Sequence, residues 1–207
     1  MASFRLGIIA SHGGSNLQAI IAATKSGELH AIPSVVISNN GGSLALSRAR
    51  SEDIPAYHLS GKTHPEPEAL DEAILQALVT HDVEIVVLAG HMKKLGPKTL
   101  RHFAGRILNI HPALLPKYGG QEMYGRRVHE AVLAAGERTT GVTIHLVTAD
   151  YDTGPIIAQC EVPVCEGDTV DTLAERVLQR EHAFYVETLQ KISDGTIVLP
   201  GAMVKER

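Results

Sequence analysis

Short apolar runs alternate with amphipathic stretches through the first half of the chain. Residues 4–10 are apolar and close on a Ser-His-Gly-Gly turn, which predicts a buried strand. Residues 16–26 then put Leu17, Ile20, Ile21 and Thr24 at helical spacing. Residues 32–38 are strand-like, 43–52 helical, and 56–59 a short strand. Residues 67–80 gather Leu70, Ile74, Leu75 and Leu78 on one stripe. Residues 84–89 are almost continuously apolar, as expected of a strand buried on both faces. A short helix over 96–103 and a strand over 107–110 complete this half. The alternation predicts an α/β protein with a Rossmann-like, mostly parallel sheet and helices on both faces.

The pattern changes further along. Val142, Ile144 and Leu146 alternate with Thr143, His145 and Val147, and residues 155–163 form a second extended run. With 149–154 as the turn, these read as an antiparallel strand pair. Residues 169–193 read as a long closing helix, opened by an Asp168-Thr169 cap signal. Between 111 and 140 no element is predicted; the glycine-rich stretch 117–125 reads as a mobile loop over the site. No repeat, low-complexity tract or linker divides the chain.

Composition narrows the class. A chain of 207 residues with 44% hydrophobic and 20% charged residues suits one globular domain with a sizeable core. A net charge of −4 argues against a general nucleic-acid binder. Cys160 and Cys165 lack zinc-like partners and fit reduced, small apolar side chains. No signal-peptide pattern or membrane-length apolar run is seen, so a cytoplasmic protein is expected.

The candidate chemistry lies in Asn109-Ile-His-Pro-Ala-Leu-Leu-Pro-Lys-Tyr118 and Asp150-Tyr-Asp-Thr-Gly-Pro155. Asn109 and His111 are two apart on a strand end and project to one face, and Pro112 keeps His111 extended. An amide beside an imidazole suits a reaction that develops an oxyanion and moves a proton, and Asp152 could set the imidazole's charge. The plainer alternative is a pair of ordinary hydrogen-bonding residues. Ser11-His-Gly-Gly-Ser-Asn16, between a strand and a helix, reads equally as an anion cradle or as a tight turn with Ser15 as N-cap. Ala89-Gly-His-Met-Lys93 follows a buried strand on the ligand-binding edge of an open sheet, or is a plain strand-to-helix loop. Glu181 either caps the apolar face of the closing helix or serves a ligand.

Asn109-Ile-His-Pro-Ala-Leu-Leu-Pro116 followed by Asp152-Thr-Gly-Pro155 resembles the folate-dependent formyltransferases. Ser11-His-Gly-Gly-Ser-Asn-Leu-Gln-Ala-Ile20, Val87-Leu-Ala-Gly-His-Met92 and Glu181-His182 are similar to the branch of that family acting on glycinamide ribonucleotide. The likeness spans residues 4–195 and is specific as a combination. It implies one formyltransferase domain over 1–207 that moves the formyl group of 10-formyltetrahydrofolate to the amine of glycinamide ribonucleotide in purine (IMP) biosynthesis. The amine would attack the formyl carbon directly, with no metal.

The resemblance also implies roles for particular residues. Asn109, His111 and Asp152 would be catalytic, with Asp152 raising the pKa of His111. Gly14, Ser15 and Asn16 would hold the ribonucleotide's phosphate and Glu181 its ribose hydroxyls, with Gly90, Met92 and Pro112 alongside. His91, Met92, Lys93, Lys94, Leu95, Asn109, Ala149 and Asp150 would line the folate site, with the pterin against backbone at 92–95 and 149–152. His145 matches a family position and is either a support of the site or a core histidine. The partners implied are these small molecules, with no nucleic acid and no membrane; monomer and homodimer both stay open. Where His12 stands the family more often has glycine, where His91 stands an aromatic, and where Lys93 stands an arginine. The 117–125 loop is a longer version found in part of the family, and it sets Glu122 near an anionic substrate without evident reason. Other members of the family weigh less. Methionyl-tRNA formyltransferases carry an extra carboxyl-terminal domain, and formyltetrahydrofolate deformylases an amino-terminal regulatory one. A non-catalytic binding protein has no use for the intact trio.

Overall fold

The computed structural model describes residues 3–201. In chain order the elements are β1 (Phe4–Ala10), α1 (Ser15–Ser26), β2 (Ala31–Ser38), α2 (Leu44–Ser51), β3 (Ala56–His58), α3 (Pro67–Thr80) and β4 (Ile85–Leu88). They continue as α4 (Pro97–His102), β5 (Ile107–His111), α5 (Arg126–Ala134), β6 (Thr139–Leu146), β7 (Ile156–Pro163) and α6 (Val170–Ser193). One seven-stranded sheet runs β3-β2-β1-β4-β5-β6-β7. Strands β1 to β5 pair in parallel, and β6 pairs antiparallel with both β5 and β7. The predicted mixed α/β sheet, the antiparallel pair and the closing helix are all present.

Strand β4 shows why the sheet needs two helical layers. Ile85 and Val87 join one apolar cluster with Leu17 and Ile20 of α1, Leu46 of α2, Val132 of α5 and Leu173, Val177 and Tyr185 of α6. Val86 and Leu88 point the other way, into a cluster with Ile74 and Leu78 of α3 and with Phe103 at the end of α4. The period of two along the strand divides its side chains between the layers. Local signals set the helix ends. Pro67 and Pro97 sit in the first turns of α3 and α4, where a missing amide hydrogen costs nothing. Thr169 and Thr172 form a capping box at the start of α6.

Two differences from the sequence reading matter for the site. Strand β5 runs one residue further than its apolar run, to His111, which pairs with Thr143 of β6. Helix α5 forms where no element is predicted. Val128, Ala131 and Val132 stand at helical spacing and carry the signal, but the glycine-rich stretch that precedes them draws the whole segment into a loop reading.

Tyr185, fully buried on α6, ties that helix to the sheet. Its hydroxyl lies 3.0 Å from the Leu108 carbonyl of β5 and 3.3 Å from the Leu88 carbonyl of β4. Tyr185→Phe keeps the ring and removes the donor, and is expected to cost about 1 kcal/mol. Thermal unfolding should then shift down by about 2–4 °C. An unchanged midpoint would show that the hydroxyl does not hold α6 in place.

Candidate active site

The sheet order reverses beside β1, where the chain has built β2 and β3 on one side and then places β4 on the other. Such a switch opens a crevice at the carboxyl ends of the strands. Here a cleft of about 680 Å³ occupies it, bounded by the loops after β1, β4 and β5 and by α5 and α6. The loops after β1 and β4 are stitched together: the Ser11 N–H donates to the Gly90 carbonyl at 3.1 Å, and the Met92 N–H donates to Ser11 Oγ at 2.9 Å.

Helix α1 opens at this cleft. Gly14 is its N-cap with φ of 65°, and no side chain caps the helix, so of the two readings of this turn the cap by Ser15 falls away. A side chain at Gly14 would bring Cβ within 2.9 Å of Ala45 Cβ, so the tight approach of α1 to α2 requires glycine. Arg48 braces the turn from behind, with Nε donating to the Gly13 carbonyl at 3.1 Å. The helix start therefore faces the cleft with amide hydrogens that no side chain answers, an arrangement suited to an anion.

Asn109 and His111 project from β5 as the strand geometry requires, and Asp152 meets them from the turn between β6 and β7. His111, 3% exposed, has Nδ1 3.5 Å from Asp152 Oδ2 and Nε2 2.7 Å from the Tyr118 carbonyl. Asn109 Nδ2 lies 3.5 Å from Asp152 Oδ1 and 3.1 Å from His145 Nε2. His145 joins the group directly, with Nε2 3.3 Å from Asp152 Oδ1 and Nδ1 2.9 Å from the Leu146 carbonyl. Asp152 holds this position in the left-handed region, at φ of 55°, and accepts the Gly120 N–H at 2.9 Å. Backbone strain of this kind is kept where surrounding contacts fix it.

Burial dominates the electrostatics. It pushes the His111 imidazole below its ordinary value; Asp152 and the Tyr118 carbonyl push upward without overcoming it. The lift from Asp152 inferred from sequence is present but outweighed. Both ring nitrogens nonetheless face acceptor oxygens, a setting that only the imidazolium satisfies in full. Burial also raises the Asp152 carboxyl, but the contacts with His145 and His111 and the Gly120 N–H bring it net below the usual range. His91 is driven down to about 4 by burial and then by Lys93, so its ring is neutral. Glu181 is 8% exposed, and burial lifts its carboxyl to about 7, with Asn16 Nδ2 at 3.4 Å pulling slightly the other way.

The sequence-predicted residues fall into two adjoining spaces. Gly14, Ser15, Asn16, Gly90, Met92, Pro112 and Glu181 all line the large cleft. A smaller cavity of about 50 Å³ beside it is lined by His91, Lys93, Lys94, Leu95, Asn109, Ala149 and Asp150. Of the residues assigned to folate from sequence, Met92 alone lines the large cleft without lining the small cavity. His91, Asn109, Tyr151 and Asp152 border both spaces. Asn16 turns its side chain to Glu181, which leaves its backbone amide as its contribution at the helix start.

Sequence reasoning missed the contributions of α5. Arg126 and His129 line the large cleft, and Arg126 pairs with Asp171 and Glu130. The loop 120–125 lines it as well. Glu122, unexplained from sequence, lies 3.5 Å from Arg127, so its charge is met within the loop and helix. The helical spacing of Val128, Ala131 and Val132 between Gly125 and Gly136 was the signal that could have found α5, with His129 beside the buried stripe.

A β5 amide and imidazole, an aspartate from the following turn and an anion cradle at the strand-order switch form a group-transfer site on a Rossmann-like sheet. The sequence model of the formyl transferase family matches residues 4–189, and the chain belongs to that family. Within it, similar proteins include phosphoribosylglycinamide formyltransferases. The chloroplastic enzyme of Vigna unguiculata is 41% identical over 195 residues, covering 94% of this chain and 62% of its own length. The Escherichia coli (strain K12) enzyme is 38% identical over 190 residues, covering 92% of this chain and 87% of its own. This chain thus spans less than two thirds of the plant protein and most of the bacterial one. The crystal structure of glycinamide ribonucleotide transformylase 1 from Symbiobacterium toebii superposes with a TM-score of 0.87 at 39% identity, covering 96% of this chain and 92% of that one. A formyltetrahydrofolate deformylase from Pseudomonas syringae pv. tomato shares the fold at a TM-score of 0.84 but only 26% identity, over 96% of this chain and 64% of its own.

Glu181 makes stability depend on pH with a defined sign. Its folded pKa of about 7 lies above the ordinary 4.5, so its contribution is complete below 4.5 and is lost as pH rises through 7. The loss amounts to about 3 kcal/mol. Urea unfolding of Glu181→Gln should therefore show a smaller fall in stability between pH 5 and pH 8 than the parent protein. Parallel curves for the two proteins would mean that Glu181 is not buried as a neutral acid.

Proposed function

We propose that this protein transfers the formyl group of 10-formyltetrahydrofolate to the amine of glycinamide ribonucleotide, in the route to IMP. The observation that carries the reading is the position of Asn109 and Asp152 in the wall common to a phosphate-ready cleft and a smaller adjoining cavity. In this reading the ribonucleotide fills the large cleft. Its phosphate meets the amides of Gly14, Ser15 and Asn16, and its ribose hydroxyls meet Glu181. Gly90, Met92 and Pro112 flank it, and the amine reaches Asn109 and His111. The pterin of the folate lies against backbone at 92–95 and 149–152, where the small cavity marks its place and widens to admit it. The protein acts as a single cytoplasmic domain; among the described residues no helix is long and apolar enough to cross a membrane.

The chemistry then follows. The amine nitrogen attacks the formyl carbon, a new C–N bond forms, and the carbonyl electrons move to oxygen. The Asn109 amide and a protonated His111 stabilise that oxyanion. In the resting structure His111 Nε2 faces the Tyr118 carbonyl at 2.7 Å, so the oxyanion takes over a position at the imidazole already suited to an acceptor oxygen. Asp152 stabilises the imidazolium and accepts the amine's proton through water. That proton passes to N10 as its bond to the formyl carbon breaks. Tetrahydrofolate and the N-formylated ribonucleotide leave. Holding both substrates in line can contribute several kcal/mol to such a two-substrate reaction.

The deciding assay follows formyl-folate consumption with and without glycinamide ribonucleotide. Consumption should require the acceptor; equal rates without it would assign the protein to the hydrolytic deformylases. In the same assay His111→Ala and Asp152→Asn should each lower turnover on the order of a hundredfold or more while the fold survives. The double variant should lose much less than the product of the two, because the residues act on one proton and one oxyanion. Full multiplicative loss would exclude that coupling.

A further inference from the structure

Helix α5 carries a buried imidazole to which the reaction above gives no task. His129 is 5% exposed and lines the large cleft, and its Nδ1 has no hydrogen-bond partner among the described residues. Buried polar nitrogens are seldom left unanswered; this one is closed off as the ring stands, but the ring borders the cleft, where a turn about its side-chain bonds would present the nitrogen to a bound molecule. Val128 and Val132 already seat the helix on the core, so packing does not call for a histidine here. Arg126, one turn earlier, also lines the cleft, but Asp171 and Glu130 meet its charge. His129 is the polar group of α5 that stays open.

Its chemistry and its place narrow the partner. Burial, then His111, then Arg126 hold its pKa below the ordinary value, so the ring is neutral and offers one donor and one acceptor. His129 lines the same cleft as Asn109, His111 and Pro112, so it can meet an acceptor whose amine is presented to them. Phosphate calls for cations or amide hydrogens, which α1 supplies, and the ribose hydroxyls have Glu181. The part of the acceptor left without a protein partner is the amide that joins the ribose to the reacting amine. It carries one N–H and one carbonyl, the complement of a neutral imidazole.

We propose that His129 is a positioning residue that hydrogen-bonds this linking amide and so aims the amine at the formyl carbon. The inference rests on the acceptor assigned above. Calorimetry of the unaltered protein with glycinamide ribonucleotide therefore comes first. If that ligand does not bind, the acceptor assignment fails and this inference falls with it, before any variant is compared. Given binding, His129→Leu should raise the KM for glycinamide ribonucleotide about tenfold. The KM for 10-formyltetrahydrofolate should stay nearly unchanged, and the melting temperature should not fall. His129→Gln, which keeps one donor and one acceptor, should recover most of the lost affinity. Equal rises in both KM values, with no rescue by glutamine, would overturn the proposal in favour of a structural role. A shifted pH profile of kcat with both KM values intact would overturn it in favour of tuning His111.

Discussion

Asp152 accepts the Gly120 amide at 2.9 Å and lies 3.5 Å from His111 and 3.3 Å from His145. These contacts tie together β5, the loop that follows it, β6 and the turn that carries Asp152 itself. The turn gives up backbone comfort for this, since Asp152 sits in the left-handed region. Without the carboxylate, two buried imidazoles would lose their anionic neighbour, and Asn109 would face His145 alone. The alignment of the site thus depends on one negative charge that the surrounding donors keep ionised.

Around that charge, low water content works in one direction for every other group. Burial drives His91, His111 and His129 toward their neutral forms and Glu181 toward its acid form. The cleft is lined mainly by groups that can change partners without breaking strong ion pairs. Its charged members, Glu122, Arg126 and Asp152, are each held by opposite charges or donors. A substrate bearing its own phosphate meets few competing salt bridges on the way in, and the amides at the head of α1 remain to receive it.

Much of this was legible in the sequence, for reasons that can be traced to particular residues. Period-two and helical spacing identify β4, α3 and α6 because each has a broad apolar face. Asn109 and His111 share a face by strand geometry alone. The meeting of Asn109 with Asp152 crosses 43 positions; the residue types suggested Asp152 as a partner of the imidazole, and the family resemblance made the three a catalytic set. Helix α5 was legible in the spacing of Val128, Ala131 and Val132, but the glycine-rich loop before it hides where it begins. Of the two readings of the 11–16 turn, side-chain capping by Ser15 falls away because a left-handed glycine takes the N-cap position. The net fall in the His111 pKa was misjudged because charge pairing is visible in a sequence and desolvation is not.

The two adjoining spaces share the wall formed by His91, Asn109, Tyr151 and Asp152. Each space also has residues of its own, so neither occupant lies across the other's whole boundary. The shared residues are therefore where groups held in the two spaces come face to face, and a change in any one of them alters both spaces at once.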